Sequence, residues 1–435
     1  MLTAHIAGLI KNKTVLILGF GREGRSTYKL LKKAGGYRGL AISDLNPVID
    51  VEEKVFSGVD YQKPIADFDI VFKSPGVVLE NFEYKDKITS QTDEVINCFK
   101  ENIIGITGTK GKSTTTSLIY HILKECGKKP VLMGNIGIPA FDAAENEDGS
   151  RPFVYELSCH QLEFAKKSPH TGVLLNIYPE HLDHYGTFEK YSHAKENMYR
   201  NMTEEDFLVC GMEFMPDSFK GKSVSVSMTE KNADYFVTEN SIFENGKLLK
   251  SDIKCNIFGI HNVYNIAVAY AVCKNHGVGS EEFFEALKSY NPLPHRLEMF
   301  LEHNGVRYFD DSISTIPETT IKALSSVKNV GTIVLGGMDR NIELDALTDY
   351  LTENPVKNVV LMPDTGKIIY EKLKDSYQYN LYMADDLKDA AKICTEVTQS
   401  GEACILSPAA ASYGFFKNFE ERGDFFKKYI KEFLG

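Results

Sequence analysis

The chain has 435 residues, which at roughly 150 residues per domain predicts three domains. At 43% hydrophobic and 25% charged it has the composition of a folded globular protein, which excludes wholesale disorder. Lys and Arg number 49 against 60 Asp and Glu, a net charge of −11, so there is no basic excess to favour a nucleic acid or an anionic membrane surface. No apolar run approaches the roughly 20 residues that span a bilayer, and Met1 to His5 lacks the charged-then-apolar layout of a secretory signal. The eight cysteines are scattered without a Cys-x-x-Cys pair, which argues for reduced thiols and against a disulfide framework or zinc site. These features predict a cytoplasmic enzyme.

In chain order, Thr14 to Leu18 is predicted as a buried strand, Ser26 to Lys33 as the helix after it, and Gly39 to Ser43 and Phe68 to Phe72 as further strands, the last stopping at Ser74-Pro75-Gly76. A second block begins with a strand at Ile103 to Thr107 and a helix from Lys112 to Cys126, with further strands at 130–133, 153–157 and 172–177. Residues 206–250 are predicted to be β-rich, with a hairpin at Asn245-Gly246. An apolar-faced helix follows at 260–275, and Asn291-Pro292-Leu293-Pro294 reads as a stiff linker. A third block has predicted strands at 306–309, 332–335, 358–361 and 403–406, and helices at 317–324, 387–395 and 415–430. Alternating strands and helices imply parallel sheets with crossover helices. The expected fold is α/β, with three domains in series at 1–96, 97–291 and 292–435: a Rossmann-like domain, a central phosphate-loop ATPase domain and a second Rossmann-like domain.

The sharpest chemical signal is Gly105-Ile106-Thr107-Gly108-Thr109-Lys110-Gly111-Lys112-Ser113-Thr114, placed between a strand and a helix. Glycines let backbone N–H groups approach phosphate oxygens, and the helix N-terminus adds partial positive charge. In this reading Gly108, Thr109, Lys110 and Gly111 cradle the phosphates of a nucleoside triphosphate, Lys112 reaches the terminal phosphates, and Ser113 or Thr114 offers a hydroxyl to Mg²⁺. The spacing departs from G-x-x-x-x-G-K-S because Ile106 stands where the first glycine belongs. Glu156, at the end of a predicted strand, suits a Mg²⁺ that bridges the phosphates. Glu180-His181-Leu182-Asp183-His184 invites a zinc reading but lacks the His-Glu-x-x-His spacing. Lys195, alone on a predicted helix, reads from chemistry as a surface residue. At the N-terminus Gly19-Phe20-Gly21-Arg22-Glu23-Gly24, with Asp44 twenty residues on, matches the dinucleotide fingerprint and by itself would imply an NAD-dependent oxidoreductase.

Taken together these motifs resemble the Mur ligases, the ATP-dependent amino-acid-adding enzymes of peptidoglycan synthesis, and most of all the glutamate-adding members. Gly134-Asn135-Ile136-Gly137, Glu156-Leu157-Ser158, Glu180-His181-Leu182-Asp183, His295-Arg296-Leu297-Glu298, Asp311-Ser312, Leu406-Ser407-Pro408-Ala409 and Phe416-Lys417-Asn418-Phe419-Glu420-Glu421-Arg422-Gly423 occur in the expected order, across essentially the whole chain. The short phosphate loop of that family explains the missing first glycine. The resemblance implies that Gly21, Asp44 and Ser74 hold the uridine nucleotide of UDP-N-acetylmuramoyl-L-alanine, in place of NAD, and that Asn135 contacts that substrate or a phosphate. It implies ATP and two Mg²⁺ ions in the central domain, with Ser113, Glu156, His181 and a carbamylated Lys195 as metal ligands. Asn262 and Asn265 would lie on the adenine side, and Arg296 and Asp311 would reach the nucleotide from the third domain. Thr315, Ser412 and Phe419 match positions of the glutamate pocket. The chain departs from the pattern at Ile313 and Arg340, each where a lysine is common, and at Tyr413, where a leucine is usual. Arg340 would meet the side-chain carboxylate as a bidentate fork and not as a point charge. That leaves D- and L-glutamate both open as the added amino acid, with D-glutamate expected. A folylpolyglutamate synthase has a related loop but does not account for the first domain. A monomer is expected.

Overall fold

The apolar strand blocks close into three separate sheets, seen in a computed structural model that describes every residue except 80, 81, 254, 256, 258, 341 and 377 and the side chains of 82 and 183. The first sheet holds β1 (Thr14–Leu18), β2 (Gly39–Asp44), β3 (Lys54–Ser57), β4 (Ile70–Lys73) and β5 (Ile88–Thr89), all parallel in the order β3-β2-β1-β4-β5. The order reverses between β1 and β4, so the glycine loop after β1 and the Ser74 turn after β4 flank the crevice where such sheets take ligands.

The second sheet is formed by β6 (Ile103–Thr107), β7 (Val131–Gly134), β8 (Phe153–Glu156), β9 (Thr171–Leu174), β10 (Phe207–Gly211), β11 (Lys222–Ser227), β12 (Tyr235–Val237), β13 (Ser241–Glu244) and β14 (Lys247–Ser251). Its order is β14-β13-β12-β11-β10-β9-β6-β8-β7, parallel from β7 to β12 and antiparallel in the closing ribbon, whose turn places Asn245 and Gly246 at φ 49° and 75°. Here the order reverses at β6, which puts the loops after β6, β8 and β9 side by side. The helix Lys112–Glu125 lies against the helix Ile260–Asn275. The latter is buried at every position from Val263 to Cys273, as a helix apolar on all sides must be. These two sheets share one core, in which Val15 and Ile17 of β1 belong with Phe141 and Tyr155, and they form one compact unit of residues 1–253 and 260–287.

The third sheet forms the second unit, residues 254–259 and 288–435. It contains β15 (Glu298–His303), β16 (Val306–Asp310), β17 (Val330–Gly336), β18 (Asn358–Met362), β19 (Asn380–Met383) and β20 (Ala403–Leu406), in the order β15-β16-β20-β17-β18-β19. All pairs are parallel except β15 with β16. No helix among the described residues is long and apolar enough to cross a membrane.

Three of the differences from expectation have local reasons. The strand predicted at 172–177 ends at Leu174: its partner β6 ends at Thr107, whose carbonyl takes a last bond from Leu175 N–H, and Asn176 then bonds the phosphate loop instead of a strand. The last helix, predicted from 415, starts at Phe419, where the Asn418 side chain accepts from Glu421 N–H at 2.9 Å. A helix at Leu2–Ile10, which buries Leu2, Ile6 and Ile10, is absent from the sequence reading.

The glycine contacts yield a stability test. A Cβ on Gly24 would fall 2.1 Å from the Gly19 carbonyl oxygen, whereas one on Gly8, inside the first helix, would meet nothing. Gly24→Ala is expected to destabilise the first unit by about 1–3 kcal/mol and Gly8→Ala to stabilise it by roughly 0.5–1 kcal/mol. Urea unfolding midpoints check both, and equal shifts would contradict the packing described.

Candidate functional site

The loop after β6 is shaped by backbone that only glycine adopts easily. Gly108 has φ 157° and Gly111, the residue capping the helix Lys112–Glu125, has φ 87°. A Cβ at Gly108 would lie 2.8 Å from Leu175 Cβ, and one at Gly111 would lie 2.8 Å from Asn265 Oδ1. Thus the loop after β9 braces one side, and the helix Ile260–Asn275 presents Asn265 to the other. Asn265 itself donates to Asn262 Oδ1 at 3.1 Å.

Residues after β9 and on the helix Phe188–Glu196 complete the frame. Asn176 accepts from Thr109 N–H through its carbonyl at 2.9 Å and from Lys110 N–H through Oδ1 at 2.8 Å, and its Nδ2 donates to the Lys110 carbonyl at 3.1 Å. Thr109 Oγ1 accepts from Tyr178 N–H at 2.9 Å and shares a 2.8 Å hydrogen bond with the Tyr191 hydroxyl. Lys110 Nζ pairs with Glu180 at 2.6 Å. Asn176 and Tyr191 were not singled out from the sequence as site residues. An asparagine just after a strand that pairs with the phosphate-loop strand was the available signal.

Two lysines converge on this loop. Lys112 Nζ donates to the carbonyls of Gly108 and Thr109, each at 2.9 Å, and Lys195 Nζ donates to the same Gly108 carbonyl at 2.8 Å. Lys195 is therefore no surface residue; it is 1% exposed, with its ammonium 4.9 Å from the centre of the Tyr191 ring one turn earlier. Burial, with the Lys112 charge beside it, pulls its pKa down to about 7 from 10.5. Burial likewise lowers that of Lys112.

Glu156 ends β8 and is fully buried. Its Oε1 accepts from Asn135 Nδ2 at 2.8 Å, whereas its Oε2 is buried without a hydrogen-bond partner. A buried carboxylate oxygen without a hydrogen-bond partner is a ready cation ligand, so the residues present fit a hard divalent ion such as Mg²⁺. Ser113 is buried in the first turn of the helix and Thr114 is half-buried beside it. His181, at φ 56°, caps the short helix Leu182–Tyr185 with its ring 5.0 Å from that of His160. Asp183 has its side chain outside the described set.

In the first sheet, Ser74 Oγ donates to the Gly19 carbonyl at 2.7 Å, and Asp44 accepts from Phe20 N–H at 2.6 Å and Asn46 N–H at 2.8 Å. Asp44 and Ser74 thus set the course of the glycine loop. A Cβ on Gly21 would meet nothing, so its backbone borders open space where a ligand can approach. Arg22 ties this loop to the Asn135 turn through the Gly134 carbonyl at 3.3 Å.

In the second unit, the loops after β16, β17 and β20 run together. Ala409 N–H bonds the Ser314 carbonyl and Met338 N–H the Ala411 carbonyl, each at 3.0 Å. This brings Thr315, Arg340 and Ser412 to the same edge of the sheet, with Arg340 and Tyr413 exposed and Ser412 buried. The Phe419 carbonyl accepts from Ser312 Oγ at 2.8 Å. Asp311 is turned inward: it accepts from Leu297 N–H at 3.0 Å and Ser407 Oγ at 2.7 Å, and burial raises its pKa to about 7. Arg296 lies beside it, between His295 and Leu297, both of positive φ.

Residues 106–273 match the family described as the Mur ligase middle domain. The UDP-N-acetylmuramoylalanine–D-glutamate ligase of Geobacillus sp. (strain WCH70) is 31% identical over 96% of this chain and 97% of its own. The enzyme of that name from Streptococcus agalactiae serotype Ia is 33% identical over 96% of each chain. Among solved structures, the UDP-N-acetylmuramate–alanine ligase of Thermotoga maritima superposes with a TM-score of 0.62 at 21% identity, covering 97% of this chain and 98% of that one. It supports the fold.

The Lys195 environment predicts a pH-dependent stability. In the unfolded chain the amine regains its ordinary pKa, so between about 7 and 10.5 the unfolded state holds a proton that the folded state lacks, and stability rises with pH across that window. Lys195→Met removes the penalty. In CO₂-free buffer it is expected to stabilise the first unit most below pH 7, with the gain vanishing toward pH 10.5. A gain independent of pH in urea unfolding would contradict a buried ammonium.

Proposed function

The chain belongs to the Mur ligase family, and from that premise we propose that it joins D-glutamate to UDP-N-acetylmuramoyl-L-alanine at the expense of ATP, as a monomer in the cytoplasmic assembly of peptidoglycan precursors. The observation that carries this reading is the unpartnered, buried Glu156 oxygen in a chain whose Lys112 and Lys195 both converge on the phosphate loop. The oxidoreductase and folylpolyglutamate readings give way: the glycine loop of the first sheet serves a UDP-sugar, at Gly21, Asp44, Ser74 and Asn135. Residues 1–96, 97–291 and 292–435 then divide the work among the UDP-sugar, the nucleotide and the amino acid.

In this mechanism the N–H groups of the loop and of the first helical turn bind the ATP phosphates, and Lys112 meets the negative charge that builds up on the transferred phosphoryl group. Asn262 and Asn265 hold the adenine side, with Arg296 and Asp311 as nucleotide contacts of the second unit. Mg²⁺, for which Glu156, Ser113, His181 and Lys195 are the proposed ligands with two ions bound, would neutralise phosphate charge when present. Lys195 supplies an oxygen ligand only after reaction with CO₂, in which its neutral amine forms an N–C bond and releases a proton, leaving a carbamate. The low pKa of the amine makes the neutral form abundant near pH 7. The alanine carboxylate of the UDP substrate attacks the γ-phosphorus and ADP departs, leaving an acyl phosphate. Glutamate, held by Thr315, Arg340, Ser412, Tyr413 and Phe419 with Arg340 on its side-chain carboxylate, attacks the acyl carbon through its neutral amine, the nitrogen gives up a proton to solvent, and the tetrahedral intermediate expels phosphate.

Three measurements check this reading. Phosphate release with ATP, Mg²⁺ and UDP-N-acetylmuramoyl-L-alanine is expected to depend on D-glutamate; dependence on L-glutamate alone would assign the L-adding variant, the alternative that the arginine at 340 leaves open. Lys112→Ala is expected to lower turnover by roughly 10²–10³-fold in a folded protein, and near-normal turnover would contradict its role. Lys195→Ala is expected to be almost inactive and partly restored by short carboxylic acids, and full activity with a plain amine shown by mass would exclude the carbamate.

A further inference from the structure

The terminal motif 416–423 takes no part in the steps above except through Phe419, yet it contains the largest fully buried side chain among the described residues, Arg422, which is 1% exposed. Its guanidinium is held by uncharged acceptors. Nε donates to Ser312 Oγ at 2.9 Å, one Nη to the Ser312 carbonyl at 2.7 Å and the other to the Ala410 carbonyl at 3.0 Å, while Asp310 acts on it only through space. Burying a charge in this way is expensive, and an apolar residue would anchor a helix at less cost. What the guanidinium offers instead is a rigid fork that reaches two loops at once. One loop, after β16, carries Thr315; the other, after β20, carries Ser412. Ser312 Oγ passes a further bond to the Phe419 carbonyl at 2.8 Å.

The neighbouring glycines fit around this fork. A Cβ on Gly337, in the loop leading to Arg340, would lie 3.1 Å from an Arg422 Nη and 2.6 Å from the Ala411 carbonyl. A Cβ on Gly423 would lie 2.2 Å from His295 Nδ1, which bonds Asp310 at 2.7 Å. We propose that Arg422 is the positioning residue of the amino-acid site: through Ser312 and Ala410 it fixes where Thr315 and Ser412 stand, and it governs glutamate affinity without touching glutamate. The proposal rests on reading these loops as the glutamate site.

Steady-state phosphate release by the full chain tests both levels. A wild-type chain whose phosphate release ignores glutamate overturns the site reading and the proposal with it. Given a glutamate response, Arg422→Lys, which keeps the charge and loses the fork, is expected to raise the KM for glutamate roughly 10- to 100-fold, with the KM values for ATP and the UDP-sugar within about twofold of wild type. Ser312→Ala, which removes the Nε acceptor together with the bond to the Phe419 carbonyl and leaves both Nη bonds in place, decides the matter should the arginine variants not fold and is expected to give a smaller rise of the same selectivity. Added guanidinium ion is expected to restore glutamate affinity to Arg422→Ala. Parallel rises in all three KM values, or an unchanged glutamate KM in both folded variants, overturns the proposal while leaving the site reading intact.

Discussion

Lys112 and Lys195 both donate to the Gly108 carbonyl from inside the protein. Two ammonium groups taken out of water and set around one oxygen lose solvation, which lowers the pKa of each, and the Lys112 charge lowers that of Lys195 further. Such an arrangement is worth keeping only if the loop receives anions. The surroundings are organised to hold it. β9 and the Asn176 side chain brace one flank of the loop, Asn265 the other, and Tyr191 links Thr109 to the helix that delivers Lys195. The same strain gives Lys195 its proposed chemistry, because an amine kept neutral near pH 7 is the form that adds CO₂.

The phosphate loop was legible because its signal is local: glycines, a lysine and a hydroxyl between one strand and one helix. Glu156 was legible as a strand end, but its unpartnered oxygen follows from Asn135, which occupies only Oε1, and no spacing in the sequence shows that. The burial of Lys195 is not legible in its own helix, where a lone lysine reads as a surface residue. Its environment is assembled by the crossing of β6 and the helix Phe188–Glu196, elements far apart in the chain. Asp44 and Asp311, ligand contacts by resemblance, each also accept hydrogen bonds at both carboxylate oxygens from groups of their own unit, and no spacing in the sequence shows that.

The same principle separates the fold elements that were read from those that were not. Strands buried on both faces, such as β1, β6 and β20, declared themselves as continuous apolar runs. The edge strands β3 and β19, with exposed ends, carry no such run. The start of the last helix was set by the Asn418 cap, one side-chain bond that outweighs the helical tendency of the residues before it.

The central claim is that the substrate carboxylate, activated as an acyl phosphate, is the atom donor to the leaving phosphate. The direct measurement follows oxygen. With both oxygens of the alanine carboxylate of UDP-N-acetylmuramoyl-L-alanine enriched in ¹⁸O, one turnover with ATP and glutamate should deliver one labelled oxygen into the released inorganic phosphate and leave the other in the new amide. Phosphate free of the label, from a reaction that still forms the amide, would contradict the account.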